Sequence, residues 1–113
     1  MKGVKKLRPH YRPYYAEYVR HCLRYYVKTL EDGNGGHPVF TNEVDKENWS
    51  ACYHVLKHCT SADMDTIIEI YRPGDTIADK IYQIAKTRKV SQDAIWSYIN
   101  AIERKIAKKR GLL

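Results

Sequence analysis

The stretch IADKIYQIAKTRKVSQDAIWSYINAIERKIAKKR, residues 77–110, decides the fold of this chain. It contains neither Gly nor Pro, and its isoleucines recur at the spacing of one helix face. We therefore predict two helices, joined by a short turn at 87–90, with Ser91 capping the second helix. The residues expected to face the core are Ile77, Ile81, Ile84 and Ala85 in the first helix and Ile95, Ile99, Ile102 and Ile106 in the second.

Three more helices are predicted upstream. The first runs from about residue 12 to 30, the second from Thr41 or Asn42 to about Cys59, and a short third helix starts at Thr60 or Ser61 and ends at the RPGD sequence of 72–75. Apolar residues share one face of the first helix, and Tyr is the most frequent among them: Tyr15, Tyr18, Val19, Cys22, Tyr26 and Leu30.

The pattern predicts an all-α fold, a compact bundle of about five helices with a C-terminal helix-turn-helix. A length of 113 residues with 43% apolar residues suits a single domain spanning 1–113. Within it we expect an N-terminal helical hairpin at 1–59, with a flexible loop at 31–42, and a helix-turn-helix half at 60–113.

Composition narrows the function classes. The apolar runs are too short to span a membrane, and no apolar segment follows the basic N-terminus, so we expect a cytoplasmic protein that does not bind membranes. The three cysteines, Cys22, Cys52 and Cys59, are expected to be reduced. No Gly-rich phosphate loop, catalytic triad or paired-carboxylate motif occurs, so we predict a protein that is not an enzyme and needs no cofactor.

Charge is distributed unevenly along the chain. Residues 1–29 carry eight Lys/Arg and one acid, residues 30–85 carry four Lys/Arg and ten acids, and residues 86–113 carry eight Lys/Arg and two acids. The formal net charge is +7. Two basic ends around an acidic middle indicate a polyanionic partner, or ends that pack on the acidic middle of the same chain.

The helix pair at 77–110 has the features of a DNA-binding helix-turn-helix. Ala85 supplies the small residue where the helices cross, Val90 closes the turn, and Ile95 faces inward one turn later. Lys89 occupies the turn position that is often Gly. A plain antiparallel helix pair would produce the same pattern, so that structural alternative stays open.

If the pair binds duplex DNA, the second helix presents Asn, Gln and Arg side chains suited to base edges. Basic residues on the turn would contact phosphates. The candidate DNA-binding residues are Lys86, Arg88, Lys89, Ser91, Gln92, Asp93, Trp96, Ser97, Asn100 and Arg104.

From about Thr60 to Arg110 the chain resembles region 4 of sigma-70-type factors and related small phage transcription regulators. The matching parts are TSADMDTIIEIYR, PGDT, IYQIAKTRKVS and QDAIWSYINAIERKIAKKRG. It also resembles small proteins of Gram-positive prophages and mobile elements. The resemblance implies a phage-type transcription regulator that contacts promoter DNA through Gln92, Asp93, Trp96, Ser97 and Asn100.

A protein partner is the main alternative. The chain would then be a phage-encoded inhibitor or modulator of a host protein, such as RNA polymerase, without DNA sequence recognition. The spacing of Ile95, Ile99, Ile102 and Ile106 also matches the seam of a coiled coil. This seam would pack on the N-terminal helices of the same chain or form a homodimer.

Two other groups of side chains in the sequence could bind a ligand. His54 and His58 have the i, i+4 spacing that lets two imidazoles share a metal, although exposed histidines are usually only solvated, and we predict no metal site. The N-terminal cations alternate with tyrosines and would either stack on single-stranded bases or form a solvated face. These cations are Lys5, Lys6, Arg8, Arg12, Arg20 and Arg24.

Overall fold

A computed structural model describes residues 13–33 and 38–113 of the chain. These residues form five helices and no strand, so the predicted all-α bundle is confirmed. The helices are α1 Ala16–Asp32, α2 Glu43–Leu56, α3 Ser61–Tyr71, α4 Ile77–Arg88 and α5 Gln92–Lys109. None of the helices in this part of the chain has the length and apolar character needed to cross a membrane.

Four helices begin at side-chain caps that the sequence predicts. Asn42 accepts a hydrogen bond from the backbone N–H of Asp45, and Ser91 accepts one from the backbone N–H of Ala94. Thr60 and Thr76 cap α3 and α4 in the same way. Each cap satisfies an N–H group that the first turn of a helix leaves unpaired.

Helix α5 is followed by a left-handed glycine. Gly111 has φ 75°, and the N–H of Leu112 donates to the carbonyl of Ala107 at 2.8 Å. Leu112 then packs against the core, and its carbonyl accepts a hydrogen bond from the hydroxyl of Tyr14. The two ends of the described chain therefore meet.

One hydrophobic core joins all five helices. Helix α1 packs on α2, α3 and α5, and α5 packs on α1, α2 and α4. On α1 the buried apolar side chains are Tyr15, Ala16, Val19, Cys22, Leu23, Tyr26 and Val27. Two residues expected on this face, Tyr18 and Leu30, are instead 38% and 40% exposed.

The isoleucine seam of α5 lies inside the chain. Ile99 and Ile106 are fully buried, and Ile95 and Ile102 are 8% and 6% exposed. They belong to the same core as α1, α2 and α4. The seam therefore packs on the other helices of the same chain, which was one of the two alternatives for it, and a second copy could reach these four isoleucines only by opening the core.

Some expectations concern residues outside the described ranges. The basic residues Lys5, Lys6, Arg8 and Arg12 lie there, as does the centre of the loop expected at 31–42. Residues 31 and 32 of that loop belong to the end of α1, and 41–42 lead into α2.

Candidate nucleic-acid interface

The turn between α4 and α5 is made by residues 89–91. Lys89 adopts φ 56° and ψ 43°, so the position that is often Gly in such turns is left-handed here too. The N–H groups of Lys89 and Val90 both donate to the carbonyl of Ala85. This arrangement ends α4 and redirects the chain into α5 within three residues.

Val90 does not close the turn, in contrast to the prediction. It is 47% exposed and lies at the rim of a shallow cavity. Ile84 and Ile95, which are 3% and 8% exposed, fill the space beneath the turn instead. The apolar contact that joins the two helices therefore comes from the helices themselves.

The outward face of α5 is polar and uncovered. Gln92, Asp93, Ser97 and Arg104 are exposed, and Asn100 is half-buried. Their neighbours on the opposite side of the helix are the buried isoleucines. This separation follows from the helical period, because residues three or four apart share a face.

Not all of the candidate DNA-binding residues are available for contact. Ser91 uses its hydroxyl to cap α5. Trp96 is half-buried, with the guanidinium of Arg20 lying 5.9 Å from the ring centroid. Helix caps and cation–π pairs hold these side chains against the protein, so both support α5 more than they present atoms to a partner.

The cations in and beside the turn also differ in how far they are held by contacts within the protein. Lys86 and Lys89 are exposed. Arg88 donates to the hydroxyl of Thr66 and pairs with Glu69 at 3.3 Å, so it lies along α3. Among the candidate cations, Lys86 in the last turn of α4, Lys89 in the turn and Arg104 on α5 are therefore exposed and form no ion pair within the described residues.

A buried polar network sets the position of α5. Glu103, which is 1% exposed, accepts from Arg20 Nε at 2.9 Å and from the Tyr71 hydroxyl at 2.6 Å through the same oxygen, Oε2. Burial, and then the neighbouring charge of Glu103, raise the pKa of Tyr71 well above its ordinary value. Three helices thereby meet at one carboxylate, and a rotation or slide of α5 would break two of its hydrogen bonds.

The sequence pattern missed this network. Arg20 was grouped with the solvated or base-stacking cations of the N-terminus, but it is 6% exposed. Its position on the apolar face, one residue after Val19 and three before Leu23, was the available signal. The expected single-strand stacking surface therefore loses Arg20, while Arg24 remains exposed.

The thiols offer no reactive group at the two buried positions. Burial raises the pKa of Cys22 to about 11, and burial raises that of Cys52 further. A thiol with such a pKa is almost entirely protonated at neutral pH and is a poor nucleophile.

No group of three or more His, Cys, Asp or Glu side chains among residues 13–33 and 38–113 is arranged to hold a metal ion.

A second basic surface, between α2 and α5, was not identified from the sequence. His54, His58, Lys105, Lys108 and Lys109 line it together with Val55. The basic run at 104–110 is visible in the sequence, but the pairing of α2 with α5 that brings the histidines beside it is not. We call this surface the α2–α5 groove.

Comparisons with known proteins identify no relative of this chain. The chain matches no protein-family model, no curated protein and no solved structure. The resemblance of 60–110 to region 4 of sigma factors therefore stays a prediction.

Proposed function

We propose that this protein binds duplex DNA through the α4–α5 turn and the outward face of α5, as a small phage-type transcription regulator. The observation that supports this most directly is the uncovered polar face of α5, which begins beside two exposed lysines of the turn. Gln92, Ser97, Asn100 and Arg104 would contact base edges and the adjoining backbone. Lys86 and Lys89 would contact phosphates.

The support of α5 fits this role. A recognition helix must keep its register while it contacts successive base pairs. The Glu103 carboxylate accepts hydrogen bonds from Arg20 and Tyr71 and so holds the buried side of α5 against α1 and α3. The Ser91 cap fixes its first turn, and base contacts come from the first turns of such a helix.

The charge available for phosphate contact predicts the salt dependence. With Arg88 paired to Glu69, the exposed cations among the candidate DNA-binding residues are Lys86, Lys89 and Arg104. Each phosphate neutralised on duplex DNA contributes about −0.9 to the slope of log K against log salt. We expect a slope of about −3 from these three contacts.

The experiment is a selection of bound sequences from a random duplex library, followed by fluorescence anisotropy with the enriched duplex over a salt series. Asn100→Ala is expected to reduce the preference for the enriched sequence over a scrambled one by a factor of about 10, since a base contact contributes about 1–3 kcal/mol. Lys89→Ala is expected to weaken binding to both sequences and to reduce the slope by about one.

Lys28→Ala is the matched control. Lys28 is an exposed lysine of α1 whose Nζ atom lies 3.8 Å from Asp32 Oδ2. Its replacement should leave both the sequence preference and the salt slope unchanged. Absence of any DNA affinity at low salt would overturn the proposal. A salt-independent complex with a protein such as RNA polymerase, formed without DNA, would favour the alternative of a host-protein modulator.

A further inference from the structure

The α2–α5 groove lies between antiparallel helices. Near the start of α2, Asn48 accepts from Arg110 Nε at 2.6 Å, and just after its end, Cys59 contacts the hydroxyl of Tyr98 at 3.5 Å. The start of α2 therefore lies beside the end of α5, and the end of α2 lies beside the N-terminal half of α5. The cavity between them measures about 460 Å³ and is lined by His54, Val55, His58, Lys105, Lys108 and Lys109.

The lysines of the groove have no acidic partner within ion-pair distance in the described part of the chain. None of Lys105, Lys108 and Lys109 forms an ion pair with a carboxylate of residues 13–33 or 38–113. Glu43 and Glu47 line an adjoining cavity together with His54 and Lys109, and Glu47 pairs with Arg110 at 3.1 Å. The C-terminus of a helix carries about −0.5 charge, which is small against three ammonium groups.

We propose that the α2–α5 groove is a binding site for an anion with several phosphate groups. Lysine binds phosphate as a point charge, and each imidazole supplies at least one N–H donor. The volume is within the range of small-molecule sites, about 300–1,000 Å³, and far exceeds that of one phosphate ion. A polyphosphate chain or a phosphodiester strand provides successive phosphates at a spacing that Lys105, Lys108 and Lys109 can follow.

The same charges argue against a divalent metal on the histidine pair. A metal bound by His54 and His58 would lie in a cavity that three lysines line, and like charges repel at this range. The anion site uses none of the residues on the outward face of α5 that the DNA proposal needs. It therefore goes beyond that proposal and can be tested separately.

The test is a titration of the full-length protein with sodium tripolyphosphate near neutral pH at about 0.1 M ionic strength, where the Debye length is about 10 Å, followed by calorimetry and by backbone amide NMR shifts. We expect saturable binding, with the largest shifts in residues 54–58 and 105–109. The double variant Lys105→Gln/Lys109→Gln is expected to bind at least about ten-fold more weakly, because two unpaired charges are removed from the site.

The control is Lys86→Gln/Lys89→Gln, which removes the same total charge from the α4–α5 turn. It should bind tripolyphosphate within about two-fold of the wild type, since distant exposed charges are screened. Equal weakening by both double variants, or largest shifts outside the groove, would overturn the proposal. Circular dichroism and thermal unfolding establish that both double variants retain the fold.

A second arm uses single-stranded and duplex oligonucleotides. If Lys105→Gln/Lys109→Gln weakens the binding of an oligonucleotide as well as that of tripolyphosphate, the groove binds nucleic-acid phosphodiesters. If it weakens only the binding of tripolyphosphate, the groove binds a free polyphosphate. Both results support the site. Loss of duplex binding in the wild type with retained tripolyphosphate binding would refute only the DNA proposal. Retained duplex binding without tripolyphosphate binding would refute only the groove.

Discussion

Replacing Arg20 by Met should be among the most destabilising single changes in this protein. The change leaves the Glu103 carboxylate, 1% exposed, with the Tyr71 hydroxyl as the remaining donor that the structure shows on its Oε2 atom. An isolated ionised carboxylate in a protein interior is strongly unfavourable because no water replaces the lost partner. Met keeps the unbranched apolar part of the side chain, so the loss of charge dominates.

The geometry of the Arg20–Glu103 pair sets the size of the expected loss in unfolding free energy. The distance of 2.9 Å between Arg20 Nε and Glu103 Oε2 corresponds to an attraction of about 6 kcal/mol at an effective dielectric constant of about 20. Relaxation of the surrounding side chains recovers part of this attraction. Removing one partner of a buried ion pair usually costs about 3–5 kcal/mol, and we expect Arg20→Met to fall in that range.

The assay is urea unfolding at neutral pH, followed by far-ultraviolet circular dichroism. With a slope of about 1–3 kcal/mol per molar urea, the expected loss lowers the midpoint by about 2 M. Arg72→Met is the matched control, since Arg72 and Glu31 form an ion pair at 2.6 Å whose side chains are 52% and 36% exposed. We expect it to leave the midpoint nearly unchanged, because exposed ion pairs contribute little.

The double variant Arg20→Met/Glu103→Met distinguishes the loss of charge pairing from the loss of packing. It leaves the Tyr71 hydroxyl without Glu103 but buries no uncompensated charge, so it should be more stable than Arg20→Met alone. We expect a coupling energy of at least about 2 kcal/mol. Equal midpoints for Arg20→Met and Arg72→Met, or a coupling energy near zero, would refute the reasoning.

Three further predictions concern the turn and the thiols. Lys89→Gly should raise the free energy of unfolding by about 1 kcal/mol, because φ 56° is unfavourable for a side chain with a Cβ; a lower urea midpoint would contradict this. The pKa of Cys22 is raised by burial from 9.0 to about 11, so the unfolded chain loses this proton first as pH rises. The stabilisation of the folded protein by the protonated Cys22 thiol is complete below pH 9 and is lost towards pH 11. The free energy of unfolding should therefore fall across this range, and Cys22→Ala should reduce that fall by about 1.4 kcal/mol per pH unit. Urea unfolding at each pH measures both proteins. Cys22 and Cys52 are fully buried whereas Cys59 is half-buried, so a thiol reagent should label Cys59 first and the other two only on unfolding; equal labelling rates by mass spectrometry would contradict this.

The positions of the helices could be predicted because the interactions that set them are local. Thr60, Thr76 and Ser91 each bond an N–H three residues later, and a cap of this kind depends on residue type and spacing alone. The burial of Ile99 and Ile106 follows in the same way from the helical period of the apolar residues. That α5 is long enough to carry both a polar face and an apolar seam was visible in its sequence.

The partners of these faces were decided by the tertiary structure. Glu103 lies 83 positions from Arg20 along the chain, and no local pattern distinguishes a carboxylate that will meet an arginine from one that will stay in water. The burial of the isoleucine seam within one chain, the pairing of Arg88 with Glu69, and the meeting of His54 with Lys109 depend likewise on how the helices pack.

The sequence by itself therefore determined where the four capped helices α2 to α5 begin and which residues share most of a helix face, because hydrogen bonds over three or four residues and the helical period are properties of short segments. The three-dimensional packing decided which charges are buried, which are paired and which remain exposed. The reason is physical: the free energy of a charge depends on every group and every water molecule around it, and those neighbours come from distant parts of the chain.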